Sequence, residues 1–150
     1  MIALASDFVG ITLKNIIMKH FDTKGIAYKD YGTYDMETCD YPEYALKAAD
    51  AVISGECDKG ILFCGTGVGI SIAANKVKGI RCVCCSEPYS ALMSREHNDA
   101  NMLALGARVV ASELAKMIVD TWLEGKYQGN QHQRRLDMIS QIEKSGKING

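Results

Sequence analysis

The sequence has almost no excess charge of either sign, because its 150 residues carry 17 lysines and arginines against 18 aspartates and glutamates. The net charge of −1 gives no reason to expect nucleic acid or an anionic membrane as a partner. No uninterrupted apolar run approaches the roughly 18 residues that a membrane-spanning helix needs. The first ten residues also lack the basic segment that opens a secretory signal. Together these absences predict a cytoplasmic protein.

The remaining composition is that of a globular chain, with 47% hydrophobic and 23% charged residues. This length predicts one domain with enough chain to bury a core. Six cysteines without an export signal favour reduced thiols over a disulfide framework. Cys82, Cys84 and Cys85 lie in one apolar run, where alternate side chains of a strand point to opposite faces. We therefore expect small packing residues there and no metal site.

Short apolar runs alternate with amphipathic stretches along the chain, which predicts right-handed βαβ crossovers and a parallel sheet covered on both faces. The predicted strands are Ile2–Ala5, Ala27–Tyr31, Gly60–Cys64, Arg81–Cys85 and Arg108–Val110. The predicted helices are Ile11–Lys24, Pro42–Ser54, Gly69–Lys76, Pro88–Arg95 and Ser112–Leu123, the last with Ser112 as its N-cap. A last helix is expected after Gly129, followed by a polar, frayed tail over residues 143–150.

The segment CGTGVGI, residues 64 to 70, is the clearest local signal, because it joins a predicted buried strand to a predicted helix. Its three glycines permit a tight turn and expose N–H groups at a helix start, which is an anion-binding arrangement. The spacing lacks the Gly-Lys-Ser/Thr of a Walker loop and resembles a dinucleotide fingerprint only weakly. Taken alone, the segment is equally compatible with a purely structural turn.

Several reactive side chains follow the predicted strands, and ligands of open parallel sheets bind outside the carboxyl ends of their strands. Cys64 ends a strand beside the glycine turn, whose N–H donors favour a thiolate able to act as nucleophile or general base. A packing cysteine is an equally good interpretation of that position alone. Asp7 ends a strand otherwise too apolar to need a carboxylate. His97 lies in the polar segment Arg95–Asp99, which we expect at the same sheet edge.

Taken together, the segments ASDFVG, CGTGVGISIAANKV, SREHNDAN and HQRR resemble the type B ribose-5-phosphate isomerases and the related galactose-6-phosphate isomerase subunits. The resemblance extends over about residues 1–142, a single domain that includes the C-terminal helical arm. It implies a flavodoxin-like, three-layer α/β/α fold with a five-stranded parallel sheet. It also implies a homodimer or homotetramer with shared active sites. The implied reaction is aldose–ketose isomerisation without a cofactor or metal, because dipoles of the glycine loop replace a Lewis acid.

The resemblance also implies residue roles. Cys64 is the base that removes a proton beside the carbonyl carbon and forms a cis-enediolate, while Thr66 and His97 assist opening of the sugar ring. One branch of the family uses a glutamate at the position of Ile70, which cannot accept a proton and so leaves Cys64 as the base. The expected hydroxyl contacts are Asp7, Tyr41 and Asn98. The expected oxyanion donors are the backbone N–H groups of the loop, including Gly65, Gly67, Val68 and Gly69.

The phosphate-binding positions depart from the family pattern. Phe8 stands where the family has a histidine, and Gln131 stands where it has the first of two arginines. Arg108 and Arg135 match family arginines, and Arg134 and His132 are candidates to compensate. Each lost charge-assisted bond weakens binding by about 1.5–3 kcal/mol, so the two changes bear directly on substrate choice.

Several functions therefore remain open from the sequence. The first is conversion of ribose 5-phosphate to ribulose 5-phosphate. The second is isomerisation of another sugar phosphate, and the third is action on an unphosphorylated or deoxy sugar with Phe8 as an apolar wall. A non-catalytic, flavodoxin-like phosphate-binding module and a non-catalytic subunit of a hetero-oligomer are alternatives of other classes. The presence of Asp7, Cys64 and His97 together favours an enzyme.

Overall fold

The computed structural model describes residues 1–149 and contains a sheet of five strands with helices before, between and after them. The strands are β1 (Ile2–Ser6), β2 (Tyr28–Asp30), β3 (Lys59–Cys64), β4 (Cys82–Cys84) and β5 (Met102–Gly106). The helices are α1 (Ile11–Lys24), α2 (Tyr41–Ile53), α3 (Val68–Ala74), α4 (Pro88–Glu96), α5 (Ser112–Glu124) and α6 (Gln131–Ser145). In the part of the chain described, no helix is long and apolar enough to cross a membrane.

The sheet is parallel throughout, and its strands lie in the order β2-β1-β3-β5-β4. This confirms the predicted three-layer α/β/α class with five parallel strands. The last two strands are exchanged relative to the flavodoxin-like order 2-1-3-4-5. As a result β5 lies beside β3, with Gly106 in register with Cys64, and the three-residue strand β4 forms one edge.

The predicted strand Arg108–Val110 is wrong, because the fifth strand is Met102–Gly106. All five residues of that strand are buried, as expected for a central strand covered on both faces. Arg108 and Val109 are instead exposed in a turn that is closed by bonds from the N–H groups of Val109 and Val110 to the Gly106 carbonyl. The predicted segment ends in two β-branched residues, Val109 and Val110, a composition typical of a strand. In the structure this segment follows strand β5.

The sheet separates two apolar cores. One core lies between the sheet and helices α1, α4 and α5, and it contains Phe21 and the fully buried Trp122. The other lies under α2 and α3 and is built largely from small residues such as Ala45 and Ala48. Helix α6 extends beyond these layers, with His132 and Leu136 as its buried residues. The helix ends at Ser145, and Gly150 of the predicted tail lies outside the described residues.

Two local features differ from, or add to, the sequence prediction. The residue that caps α5 is Ala111, which offers no side-chain acceptor, and Ser112 is the first helical residue. The unexpected feature is Lys14 on α1, which is fully buried. Its ammonium donates to Asp30 Oδ1 at 2.7 Å and to the Thr33 carbonyl at 2.6 Å. This contact fixes the start of the loop between β2 and α2.

Candidate active site

The loop between β3 and α3 packs tightly against the end of β5. Gly67 has a φ of +79°, in the left-handed region that glycine adopts without strain. A Cβ atom there would lie 2.9 Å from Cys84 Sγ and 3.0 Å from the carbonyl carbon of Leu105. A Cβ on Gly106 would lie 2.5 Å from the carbonyl carbon of Thr66. Glycine is therefore required on both sides of this contact, and the loop conformation is fixed.

Cys64 is held at the base of this loop with its thiol directed at backbone donors. The residue is 5% exposed, and its Sγ accepts a hydrogen bond from the Gly67 N–H at 3.1 Å. The N–H group thus points at the sulfur atom, the atom of this side chain that can accept a proton or attack an electrophile. Cys64 is therefore a buried thiol in contact with the glycine loop, and its role as a base stays a prediction.

Only some of the predicted oxyanion donors are available. The Gly67 N–H is bonded to Cys64, and the Val68 N–H donates to Thr66 Oγ1 at 3.2 Å. The N–H groups of Gly65, Thr66 and Gly69 have no hydrogen-bond acceptor among residues 1–149. The resemblance implied that the N–H groups of the whole loop act as oxyanion donors. In the structure the N–H groups of these three residues remain free to bind a developing negative charge, and those of Gly67 and Val68 do not.

Asp7 follows β1 at the same edge of the sheet. Its Oδ1 accepts from the N–H groups of Val9 at 3.0 Å and Gly10 at 2.9 Å, which fixes the turn into α1. A Cβ on Gly10 would lie 2.3 Å from the Phe63 carbonyl oxygen, so this turn packs against β3. The second carboxylate oxygen, Oδ2, makes no hydrogen bond within the described chain and is available to a ligand hydroxyl.

Tyr41 and Arg108 approach the loop from its two sides. A Cβ on Gly69 would lie 2.7 Å from Tyr41 Cζ, so the phenol ring covers the start of α3. Arg108 donates its backbone N–H to the Gly65 carbonyl at 3.0 Å, and its guanidinium is exposed beside the loop. The half-buried Phe8 follows Asp7. We call this set the carboxyl-edge cluster: Asp7, Phe8, Tyr41, Cys64–Gly69 and Arg108.

His97 and Asn98 do not join that cluster, so the expectation that Arg95–Asp99 lies at the same sheet edge is wrong. Helix α4 starts after β4 at the carboxyl edge and runs back before β5 begins. The Asn101 carbonyl accepts from the N–H of Gly60, near the start of β3. Gly60 precedes Cys64 by four residues, so at a rise of about 3.3 Å per residue this end of β3 lies roughly 13 Å along the strand from Cys64.

His97 is instead joined to the start of α6. Its ring stacks on the ring of His132, with centroids 4.2 Å apart and an interplanar angle of 13°. His132 is buried, and burial, followed by the charges of His97 and Arg135, lowers its pKa below the usual value. The sequence offered His132, within HQRR, only as a candidate phosphate contact, and its stacking on His97 was not predicted.

The exposed side chains at the start of α6 form the remaining part of this group. Gln131, Arg134 and Arg135 are all exposed, and spacings of three and four residues place them on one face of the helix. The amino-edge cluster comprises His97, Asn98, Gln131, His132, Arg134 and Arg135. Within one chain the predicted site residues therefore form two clusters on opposite edges of the sheet.

The remaining cysteines are not arranged as a metal site. Among the described residues, no group of three or more histidine, cysteine or acidic side chains is close enough to hold a metal ion. Burial, followed by the charges of Cys84 and Glu87, raises the pKa of Cys85 to about 12. Cys84 differs from the packing role that was expected, because it is exposed and its Sγ lies 3.6 Å from the Thr66 carbonyl.

Comparison with known proteins gives consistent matches over nearly the whole chain. The sequence model of the Ribose/Galactose Isomerase family matches residues 2–139. Ribose-5-phosphate isomerase B of Escherichia coli K12 is 58% identical over 142 residues, which are 95% of each chain. The structure of Clostridium thermocellum Ribose-5-Phosphate Isomerase B aligns with a TM-score of 0.95 at 53% identity, covering 97% of this chain and 99% of that one. The structure of Ribose-5-phosphate Isomerase B from Mycoplasma genitalium with bound Ribulose-5-phosphate aligns with a TM-score of 0.91 at 42% identity, covering 96% of each chain.

Proposed function

Because this chain belongs to the Ribose/Galactose Isomerase family, we propose that it is the isomerase that interconverts ribose 5-phosphate and ribulose 5-phosphate. The observation that carries the mechanism is the bond from the Gly67 N–H to Cys64 Sγ, beside three unpaired loop N–H groups. A thiolate base and open oxyanion donors at one place are what proton abstraction beside a carbonyl requires. The substrate has one such carbon, C2 of the aldose.

The proposed reaction balances without a cofactor. The Cys64 thiolate takes the proton from C2 of the open-chain aldose, and the electron pair forms the C1–C2 double bond while O1 becomes negative. The N–H groups of Gly65, Thr66 and Gly69 stabilise that oxyanion. The proton on O2 moves to O1, and the Cys64 thiol returns a proton to C1, which yields the ketose and restores the thiolate.

We propose further that the active unit is a homodimer in which each site combines the carboxyl-edge cluster of one subunit with the amino-edge cluster of the other. Three observations support this assembly. The two clusters are separated by the sheet within one chain. A cleft of about 870 Å³ runs along edge strand β4 from Cys84 to Asn98. Apolar side chains that line it remain half exposed, at 47% for both Ile139 and Ile142. A two-fold axis places the carboxyl-edge cluster of each subunit beside the amino-edge cluster of the other, which forms two sites per dimer.

In such a dimer the phosphate is recognised from both subunits. We propose that Arg108 approaches it from the subunit that supplies Cys64, and that Arg134 and Arg135 approach it from the other. Arg134 lies one helical turn from Gln131 on the same face, so it can supply the charge that the family pattern has at position 131. Phe8 then borders the sugar chain. This arrangement favours a phosphorylated substrate over a free or deoxy sugar.

Hydrogen–deuterium exchange in deuterated water tests the chemistry directly. Purified protein is offered a panel of free and phosphorylated aldoses, and NMR follows exchange at the carbon beside the carbonyl. We expect ribose 5-phosphate to exchange fastest, and Cys64→Ser to keep ligand affinity while losing exchange by about 10²-fold or more. Exchange that survives in Cys64→Ser contradicts the assigned base. Ligand binding without exchange by the wild type indicates a binding module.

Subunit complementation tests the shared site. Cys64→Ser and His97→Ala remove residues from different clusters, so each variant alone should be nearly inactive. Random exchange of subunits yields half heterodimers, each with one intact site, and about a quarter of wild-type activity should return. Cys64→Ser mixed with a second Cys64 variant, Cys64→Ala, is the matched control and should stay inactive. No recovery of activity in the first mixture contradicts the shared site.

We propose also that the protein works in the cytoplasm. The six free thiols support this location, because thiols stay reduced there.

A further inference from the structure

The turn that follows α4 presents His97 and Asn98 through an unusual backbone conformation. Asp99 has a φ of +44°, a left-handed value that asparagine and aspartate tolerate better than most residues. The turn is closed by bonds from the His97 N–H to the Met93 carbonyl at 2.8 Å and from the Ala100 N–H to the Ser94 carbonyl at 2.9 Å. The orientation of His97 and Asn98 therefore depends on what holds Asp99.

Two arginines hold Asp99, one at each carboxylate oxygen. Arg95 Nη1 donates to Oδ1 at 3.0 Å, and Arg81 Nη2 donates to Oδ2 at 3.3 Å. The same guanidinium groups bind the turn's backbone, with Arg81 Nε 2.8 Å from the Asn98 carbonyl and Arg95 Nη1 2.6 Å from the Ala100 carbonyl. Every part of the turn that follows His97 is thus fixed by a charge-assisted bond.

The carboxylate of Asp99 is what allows two cations to share this turn. Arg95 is only 8% exposed and lies over the Trp122 ring, with its Cζ 5.7 Å from the ring centroid, so it cannot turn away to solvent. Without a negative charge between them, the two guanidinium groups would repel each other. Asp99 and Arg81 are part-buried and Arg95 is buried, so removing the carboxylate leaves Arg95 without its charged partner, and the turn would shift to relieve this.

We infer that Asp99 is a positioning residue of the isomerase, which acts through Arg81 and Arg95 to set the orientation of His97 and Asn98. The inference rests on the proposed function, in which those two side chains enter the site of the other subunit. Asp99 itself contacts no substrate. Its effect on the reaction passes entirely through its neighbours in the turn, and this distinguishes it from a residue that only stabilises the fold.

The test is Asp99→Asn, compared with Asp58→Asn, which makes the same change in another ion pair at the protein surface. Asparagine keeps the shape of the side chain and tolerates the positive φ, so the dimer should still fold. We expect kcat on ribose 5-phosphate to fall about tenfold in Asp99→Asn, with KM changed by less than about threefold, because a small misplacement of a reacting group lowers the rate steeply. Asp58→Asn should match the wild type in both constants.

A double-mutant cycle with His97→Ala separates positioning from general stability. If Asp99 acts through His97, then Asp99→Asn should lower kcat by less than about twofold in the His97→Ala background. Equal losses in both backgrounds overturn the inference, as does an Asp99→Asn enzyme as active as Asp58→Asn, or a His97→Ala enzyme as active as the wild type. A wild-type protein without activity on ribose 5-phosphate is a different failure, that of the proposed function itself.

Discussion

Replacing Gly67 by alanine tests the claim that the loop after β3 is held in one conformation by lack of space. The change adds a single methyl group to the residue whose N–H binds Cys64 Sγ. The chain offers a matched control in Gly55, which has a φ of +80° but no atom within 4 Å of an added Cβ. Gly55→Ala therefore measures the left-handed strain alone, and Gly67→Ala measures the strain together with the clash.

The expected magnitudes follow from these contacts. The left-handed conformation costs an alanine about 1–2 kcal/mol, and this applies at both positions. At Gly67 the new Cβ would also lie 3.0 Å from the Leu105 carbonyl carbon and 3.1 Å from the Gly106 nitrogen. Both are backbone atoms of a central strand and cannot move aside, so overpacking adds about 1–3 kcal/mol. Gly67→Ala should thus be less stable than Gly55→Ala by that second amount.

The loop relieves such a clash by moving away from β5, which displaces the donor on Cys64 and the open N–H groups together. We expect kcat on ribose 5-phosphate to fall about a hundredfold in Gly67→Ala and to remain at the wild-type value in Gly55→Ala. Chemical denaturation and initial-rate kinetics on both variants provide the comparison. Equal stability of the two variants, or full activity in Gly67→Ala, would refute the argument from packing.

Four further substitutions probe other contacts. Lys14→Met leaves Asp30 and a buried carbonyl without their cation, and it should lower the free energy of unfolding by about 3 kcal/mol in chemical denaturation. Burial, followed by neighbouring charge, lowers the pKa of His132, so its stabilising contribution is complete above about pH 6.5 and is lost as pH falls. His132→Asn should accordingly lose less stability than the wild type between about pH 7.5 and pH 5.5, measured by thermal unfolding. Arg134→Gln should raise KM for ribose 5-phosphate about tenfold with kcat retained, and Gln131→Arg should lower KM. If initial rates give the wild-type KM for both variants, this face of α6 does not bind the phosphate.

The sequence was sufficient where the signal is local. The predicted runs Ile2–Ala5 and Gly60–Cys64 are apolar throughout and form all of β1 and β3 except Ser6 and Lys59, and α1 was predicted with its observed bounds. Cys64 and Asp7 stand at the carboxyl ends of neighbouring parallel strands. Because ligands of such sheets bind at this edge, the sequence alone was enough to predict that the two residues lie there together. Their chemical roles remain predictions, because placement does not establish what a side chain does.

The errors arose where the answer depends on distant parts of the chain. The order of β4 and β5 is set by which strand pairs with β3, and no local pattern records that choice. His97 was expected beside Cys64 because its polar segment, Arg95–Asp99, was assigned to the carboxyl edge of the sheet. A helix between parallel strands runs opposite to them, so its end returns to the amino edge. In the proposed dimer His97 and Cys64 meet only across two subunits, and the secondary structure of a single chain does not describe such a contact.

The separation of the two clusters has a consequence for how substrate choice can change. The residue proposed to take the proton from the substrate carbon, Cys64, belongs to β3, whereas the residues proposed to bind the phosphate belong largely to α6, outside the packed layers. Substitutions on the exposed face of α6 leave the core and the Cys64 loop untouched. Gln131 and Arg134 already illustrate such a change in this chain. Exchange of residues 131–145 between relatives is therefore a direct route to altered sugar-phosphate preference with the isomerisation chemistry retained.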